Sequence, residues 1–109
     1  MENGLWTVQF QGPQGSGGGV VVLTSGHVLG GDSGFTYIGT YELRENAFKA
    51  KVSVTNFDPA IQSVLGIRGN YDLILEGTMR GDSIVGTGAL ATQPQAKINL
   101  ILTKKSSLT

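Results

Sequence analysis

The sequence predicts an all-β fold, an eight-stranded antiparallel up-and-down barrel that makes residues 1–109 a single domain. Three observations predict this class: β-branched and aromatic residues come in short runs, the runs alternate between apolar and polar positions, and glycine-containing turns separate them. Short turns make consecutive strands antiparallel, and such a series leaves two unpaired edges unless the sheet closes. A two-sheet sandwich is the alternative arrangement.

Eight segments show the alternating pattern. It is cleanest over residues 47–57, where Phe48, Ala50, Val52 and Val54 share one face of the predicted strand. In chain order, the predicted strands are residues 4–11, 18–24, 27–30, 35–43, 47–57, 70–80, 83–92 and 96–104.

Three segments outside these strands carry separate expectations. The glycine-rich residues 12–17 are expected to hold no regular structure, and the tail 105–109 is expected to fray. Asp58-Pro59 is typical of a helix start, because it pairs a capping acceptor with a proline at the first helical position. A short helix near residues 59–65 and an irregular loop are both open, since so short a helix is only marginally stable.

Glycine is the unusual component of the sequence, with 17 residues. Gly39, Gly77, Gly86 and Gly88 fall inside predicted strands, where glycine lowers stability. We expect them to supply the sharp bends that closure of a barrel requires. Because they lack side chains, they also favour a hollow interior.

Composition limits the classes of function. The chain is 39 % hydrophobic and 15 % charged, which is too apolar for a disordered regulator. Lys plus Arg and Asp plus Glu each number 8, so the basic stripe of a nucleic-acid-binding protein is not expected. We expect a cytoplasmic protein that does not enter a membrane, because the N-terminus does not resemble a signal peptide and the longest apolar run is Val20-Val21-Val22-Leu23.

No set of residues predicts catalysis or metal binding. His27 is the only histidine, and its neighbours Ser25 and Asp32 lie along one predicted hairpin, which rarely gives the geometry of a catalytic triad. The acidic residues fall on polar strand faces or at turns, where they satisfy backbone donors. There is no cysteine to bind a metal. We therefore expect a protein that is not an enzyme, with no catalytic residues, metal or cofactor.

The apolar residues of the inner face allow two interpretations. They fill the core of the barrel, or they line a cavity for a small apolar ligand. Tyrosine hydroxyls among them need hydrogen-bond partners, which water or a ligand would supply. The candidate cavity residues are Trp6, Phe10, Tyr37, Tyr41, Phe48, Tyr71 and Leu73.

The predicted outer face is less polar than a monomer requires. Ile38 lies there, and so do Ile74, Val85 and Ile101 on the sixth, seventh and eighth predicted strands. Adjacent strands would align these last three as an apolar stripe, and such stripes mark association surfaces. The sequence therefore predicts a homodimer formed through Ile74, Val85 and Ile101.

Several motifs resemble one protein family. They are residues 4–10 (GLWTVQF), 28–33 (VLGGDS), 37–41 (YIGTY), 77–78 (GT) and 100–104 (LILTK). Together they resemble the GrlR-like family, small bacterial proteins named for a negative regulator of type III secretion. The resemblance covers nearly the whole chain. It implies a lipocalin-like β-barrel with an apolar interior, dimerisation, and repression by binding a transcriptional activator protein instead of DNA.

The resemblance also points to one loop. The family's namesake carries an exposed acidic patch that contacts its activator, and by position this patch falls at Arg44, Glu45 and Asn46. Only Glu45 is acidic here, so the charge of the candidate partner loop differs from that of the namesake. Two functions follow as hypotheses: a regulator that binds an activator protein, and a carrier or sensor of a small apolar ligand held inside the barrel.

Overall fold

The computed structural model describes residues 2–67 and 69–108. Each strand pairs antiparallel with its neighbour in the chain, and the last strand pairs with the first, which closes the barrel. The eight strands are β1 Gly4–Gly12, β2 Gly15–Thr24, β3 His27–Gly31, β4 Phe35–Arg44, β5 Ala47–Asn56, β6 Tyr71–Arg80, β7 Ser83–Leu90 and β8 Gln93–Ser107. The predicted up-and-down barrel is therefore confirmed, and the sandwich is not formed.

The pairing of β1 with β8 closes the sheet. It shifts register once, because Leu5 pairs with Ser106 while Trp6 pairs with Lys104. Lys105 is thus the extra residue of a β-bulge, a feature that increases local twist. The prediction that the tail frays is wrong for residues 105–107, because pairing with the start of β1 holds them in β8. Thr109 lies outside the described residues.

The glycine-rich segment forms strand instead of loop. Gly12 and Gly15 pair with each other, so Pro13 and Gln14 make a two-residue turn between β1 and β2. The prediction that residues 12–17 hold no regular structure is wrong, because hydrogen bonding to a regular partner strand offsets the conformational entropy that glycine loses. The Phe10 ring also covers this segment, since a Cβ added at residue 17 would lie 2.8 Å from its Cε1 atom.

The long connection between β5 and β6 forms no helix in its described part. Asp58 accepts a capping hydrogen bond from the Ala60 amide at 3.1 Å, and the Ile61 amide donates to the Asp58 carbonyl. The chain leaves the helical path after this single turn. The irregular loop is therefore the alternative that the structure adopts.

This β5–β6 loop folds over one end of the barrel. The Gln14 amide donates to the Val64 carbonyl at 2.8 Å, and the Phe57 amide donates to the Gly34 carbonyl at 2.9 Å. The loop therefore contacts the β1–β2 and β3–β4 turns, which lie at the same end of an up-and-down barrel. We call this the loop end. The terminal end is the opposite one, where Gly4 pairs with Ser107.

Side chains alternate along the strands as predicted. On β5, Phe48, Ala50, Val52 and Val54 are buried, which confirms the expected inner face. The remaining buried hydrophobic residues are Trp6, Val21, Leu23, Val28, Phe35, Tyr41, Leu73, Ile84, Leu90, Ile98, Leu100 and Leu102.

Glycines inside the strands let neighbouring backbones approach closely. A Cβ added at Gly86 would lie 2.0 Å from the Glu76 carbonyl oxygen, and one added at Gly39 would lie 2.0 Å from the Lys51 carbonyl oxygen. Neither oxygen can move without displacing its strand. These glycines therefore permit the tight curvature of a small closed barrel.

We expect Gly86→Ala to lower the free energy of unfolding by about 1–3 kcal/mol, because the added methyl group overpacks against backbone. The matched control is Gly18→Ala in β2, where the new Cβ would contact one atom, the Val8 carbonyl oxygen at 3.3 Å. The control should change the free energy by about 0.5 kcal/mol or less. Urea denaturation followed by circular dichroism measures both values, and equal effects would contradict this account of the strand glycines.

Candidate functional site

A cavity of about 270 Å³ lies inside the barrel. Its wall consists of inward-facing side chains from the strands, together with Ile61, Ser63 and Leu65 of the β5–β6 loop. An engineered cavity of ~150 Å³ holds benzene, so by proportion this space suits a ligand of roughly ten non-hydrogen atoms. The loop end of the barrel is thus hollow.

The structure divides the seven candidate cavity residues into two groups. Phe10, Tyr37, Phe48, Tyr71 and Leu73 lie on the cavity wall. The other two, Trp6 and Tyr41, are buried but are not wall residues.

Trp6 and Tyr41 instead fill the terminal end. The Trp6 side chain is completely buried, and its Nε1 donates to the Glu2 carbonyl at 2.8 Å. The Tyr41 ring stacks on Phe48 with centroids 5.7 Å apart, and its hydroxyl donates to Glu2 Oε2 at 3.0 Å. The inner face is therefore filled by side chains at the terminal end and lines a cavity at the loop end.

The deeper wall of the cavity is apolar. Aliphatic side chains from several strands form it, so this part of the cavity offers an occupant no hydrogen-bonding side chain. These residues are Val8, Val21, Leu23, Val28, Val52, Leu73, Leu75, Leu100 and Leu102.

A polar cluster of Asp32, Tyr37, Ser63 and Tyr71 lies at the loop end of the cavity. The Tyr37 hydroxyl donates to Oδ2 of Asp32. The Ser63 and Tyr71 hydroxyl oxygens are 2.9 Å apart and share a hydrogen bond. The hydroxyl groups of these half-buried tyrosines therefore find partners within the protein.

The β3–β4 turn fixes the position of the Asp32 carboxylate. Its Oδ1 atom accepts hydrogen bonds from the Gly34 and Phe35 amides, each at 2.9 Å. The prediction that acidic residues at turns satisfy backbone donors is confirmed for Asp32. The carboxylate also faces the cavity, and it is the one charged group among the wall residues that the structure describes.

Burial keeps the two tyrosines of the cluster protonated. It raises the pKa of Tyr37 far above the usual value, and the hydrogen bond to Asp32 and the charge of that carboxylate raise it further. Burial also raises the pKa of Tyr71; the hydrogen bond to Ser63 opposes this shift, and the charge of Asp32 adds to it. Both phenols are therefore neutral hydroxyl groups at physiological pH.

Sequence reasoning missed Asp32 and Ser63 as cavity residues. The sequence places Asp32 at a turn, which is correct, but no local pattern shows that this residue also lines the cavity. Ser63 lies in the irregular loop, which carries no periodic signal. The sequence gives no reliable sign that either residue lines a cavity, because only the closure of the barrel brings the two to the same place.

The three residues of the predicted dimer face are exposed but are not all neighbours. Val85 of β7 pairs directly with Ile101 of β8. Ile74 of β6 pairs with Ala89, four residues further along β7. The polar row of Glu76, Thr87 and Asn99 lies between these positions.

A second apolar surface crosses four other strands. Leu5 pairs with Val22, Val22 pairs with Leu29, and Leu29 pairs with Ile38, so the four side chains form one row across β1–β4. Leu5, Leu29 and Ile38 are exposed. We call these four residues the outer apolar row. Ile38 was recognised as outward-facing from the sequence, but the row depends on the register of three strand pairs.

The remaining predicted site residues lie on the surface. Arg44, Glu45 and Asn46 are exposed at the β4–β5 turn of the terminal end, where Glu45 has a positive φ of 56°. Arg44 Nε lies 3.8 Å from Glu42 Oε2. His27 is exposed at the start of β3. Within residues 2–67 and 69–108, no three His, Asp or Glu side chains form a group that could hold a metal ion.

No protein-family model and no curated protein matches this chain. The resemblance to the GrlR-like family therefore stays a prediction. The described residues contain no helix with the length and apolarity needed to span a lipid bilayer.

The Tyr41 contact makes the stability of the barrel sensitive to alkali. Burial, with help from Glu2, raises the pKa of Tyr41 from 10.0 to about 12. The unfolded chain therefore loses the phenolic proton first, so this contribution to stability is complete below pH ~10 and is lost between pH ~10 and ~12. Urea denaturation at pH 8 and pH 11 should show a larger fall in the free energy of unfolding for the wild type than for Tyr41→Phe. Equal falls would contradict the assignment.

Proposed function

We propose that the protein is a small binding protein that holds an apolar ligand inside its barrel. The observation that supports this proposal is the cavity of about 270 Å³, which has an apolar deep wall. Protein interiors are close-packed, with few voids larger than a water molecule. A ligand that fills this space removes its apolar wall from water, which stabilises the complex by roughly 25 cal/mol per Å² of apolar surface buried.

The barrel also encloses such a ligand in part. The filled terminal end closes the cavity on one side, and Ile61, Ser63 and Leu65 of the β5–β6 loop cover part of the other. Eight strands give an interior that is filled by side chains or holds one small ligand. This chain uses both solutions, and the hollow part is the candidate site.

Octan-1-ol matches the cavity in size and carries no charge, so it is a suitable probe. We expect isothermal titration calorimetry to give a Kd on the order of 10–100 μM, or about 0.6–0.8 kcal/mol per non-hydrogen atom. Leu100→Trp should weaken binding by at least about tenfold, because residue 100 faces the cavity and the indole would occupy it. The matched control Ile101→Trp changes the adjacent, outward-facing residue and should bind as the wild type does.

Near-ultraviolet circular dichroism shows whether each variant is folded. Equal binding by both tryptophan variants, or no binding by the wild type, would overturn the proposal that the lumen is a ligand site.

We also propose that two copies of the chain associate through the outer apolar row. No described outward position of β1, β2 or β3 carries Asp, Glu, Lys or Arg, and the outward charges of β4, Glu42 and Arg44, lie four and six residues from Ile38. A partner with charged groups would have to bury them unpaired against this face, which is costly, whereas a second copy presents the same uncharged surface. Interface cores are depleted in charged residues in the same way.

Light scattering at tens of micromolar protein measures the oligomeric state and shows which of the two apolar surfaces forms the dimer interface. We expect a dimer for the wild type and a monomer for Leu29→Lys, since the lysine places a charge in the middle of the outer apolar row. Val85→Lys, at the face predicted from the sequence, should remain dimeric. A wild-type monomer would overturn self-association, and a monomer for Val85→Lys alone would move the interface to Val85 and Ile101.

The regulatory function stays a prediction that rests on the resemblance alone. The cytoplasmic location stays a prediction that rests on the N-terminal sequence and the short apolar runs. The loop of Arg44, Glu45 and Asn46 is exposed and therefore accessible to a partner.

A further inference from the structure

The cavity has two chemically different halves. Its deep wall is aliphatic, whereas Asp32, Tyr37, Ser63 and Tyr71 surround its loop end. A purely apolar occupant would fill the deep half and make no use of the acceptor positions that remain in the polar cluster. The complementary ligand is an amphiphile whose polar group lies at the loop end.

Asp32 has hydrogen-bonding capacity that residues 2–67 and 69–108 do not use. Each carboxylate oxygen has two lone pairs. Both acceptor positions of Oδ1 are taken by the Gly34 and Phe35 amides, while Oδ2 accepts one described hydrogen bond, from Tyr37. One acceptor position therefore remains on Oδ2 of a side chain that lines the cavity.

The neighbouring hydroxyl groups add further acceptors. The Tyr37 hydroxyl hydrogen is committed to Asp32, so its oxygen is left with lone pairs for an incoming donor. Ser63 and Tyr71 share one hydrogen bond, and Ser63 accepts another from the Leu65 amide at 3.0 Å. The Tyr71 oxygen thus also keeps acceptor capacity. The loop end of the cavity presents acceptors and a negative charge.

We propose that the ligand of the lumen is a cationic amphiphile, a primary amine on an apolar body, whose ammonium group binds Asp32; this inference rests on the proposed ligand-binding function. An ammonium group has three donors and no acceptor, which matches acceptors on Asp32, Tyr37 and Tyr71. Its charge compensates that of the carboxylate in a site partly shielded from water. A carboxylate head group, as in a fatty acid, meets like charge at the same place and is excluded.

The test compares three eight-carbon ligands that differ in their head groups. Calorimetry at pH 7 should show that octylamine binds the wild type about tenfold more tightly than octan-1-ol, because charge-assisted hydrogen bonds are the stronger ones. Octanoate should bind more weakly than octan-1-ol. This comparison uses the wild-type protein, so it does not depend on the folding of a variant.

Asp32→Asn then removes the charge and keeps a side chain that can still accept from the Gly34 and Phe35 amides. It should bring the affinities of octylamine and octan-1-ol to within about threefold of each other. The matched control Asp82→Asn removes one negative charge at the exposed β6–β7 turn of the terminal end and should leave the tenfold difference intact.

Each outcome bears on one of the two claims. If the wild type binds octan-1-ol and octylamine with equal affinity, or binds octanoate most tightly, the proposal of a cationic ligand is overturned. The proposal that the lumen binds a ligand is unaffected by either result. An octylamine preference that survives Asp32→Asn would also overturn the proposal of a cationic ligand. Failure of all three ligands to bind would overturn the proposed function itself.

Discussion

The hydrogen bonding of β8 to β1 is the constraint on which the rest of the structure depends. It turns a ribbon of eight strands into a closed wall and so defines an inside and an outside for every alternating side chain. The pairing tolerates one extra residue, Lys105, as a bulge. Without this closure, Trp6 and Leu100 would lie near opposite edges of an open sheet, and no enclosed cavity would exist.

Closure at eight strands leaves little interior volume, and the chain distributes it unevenly. The terminal end receives the largest side chains, with Trp6 fully buried and Tyr41 stacked on Phe48. Inner positions of β7 include Gly86 and Gly88, which add no side chain to the interior. Trp6 and Tyr41 therefore fill one half of the barrel, whereas Phe10, Tyr37 and Tyr71 line a cavity with a polar rim in the other.

The alternation of side chains was enough to predict the barrel, because a strand with one wet face has an unambiguous period of two. The same signal could not separate Trp6, which fills the terminal end, from Phe10, which lies on the cavity wall, since both face inward along one strand. Position along the barrel axis depends on register between strands. The glycine-rich residues 12–17 carry no strand signal of their own, because pairing with a partner strand imposes their conformation.

The polar cluster lay beyond sequence reasoning for a related reason. Asp32 and Tyr37 are neighbours in the chain, but Ser63 and Tyr71 join them from a loop and a strand on the far side of β5. The outer apolar row likewise needs three strand registers before Leu5 and Ile38 are seen to share one surface. Neither the polar cluster nor the outer apolar row can be predicted from composition and periodicity.

Nuclear magnetic resonance tests the central claim, that closure creates a ligand site inside the barrel, most directly. Intermolecular Overhauser effects between a bound eight-carbon ligand and protein methyl groups report where the chain of the ligand lies. The account predicts cross-peaks to Val21, Leu73 and Leu100, which line the cavity, and none to the exposed Leu29 and Ile38. Cross-peaks to the outer methyl groups alone would contradict it.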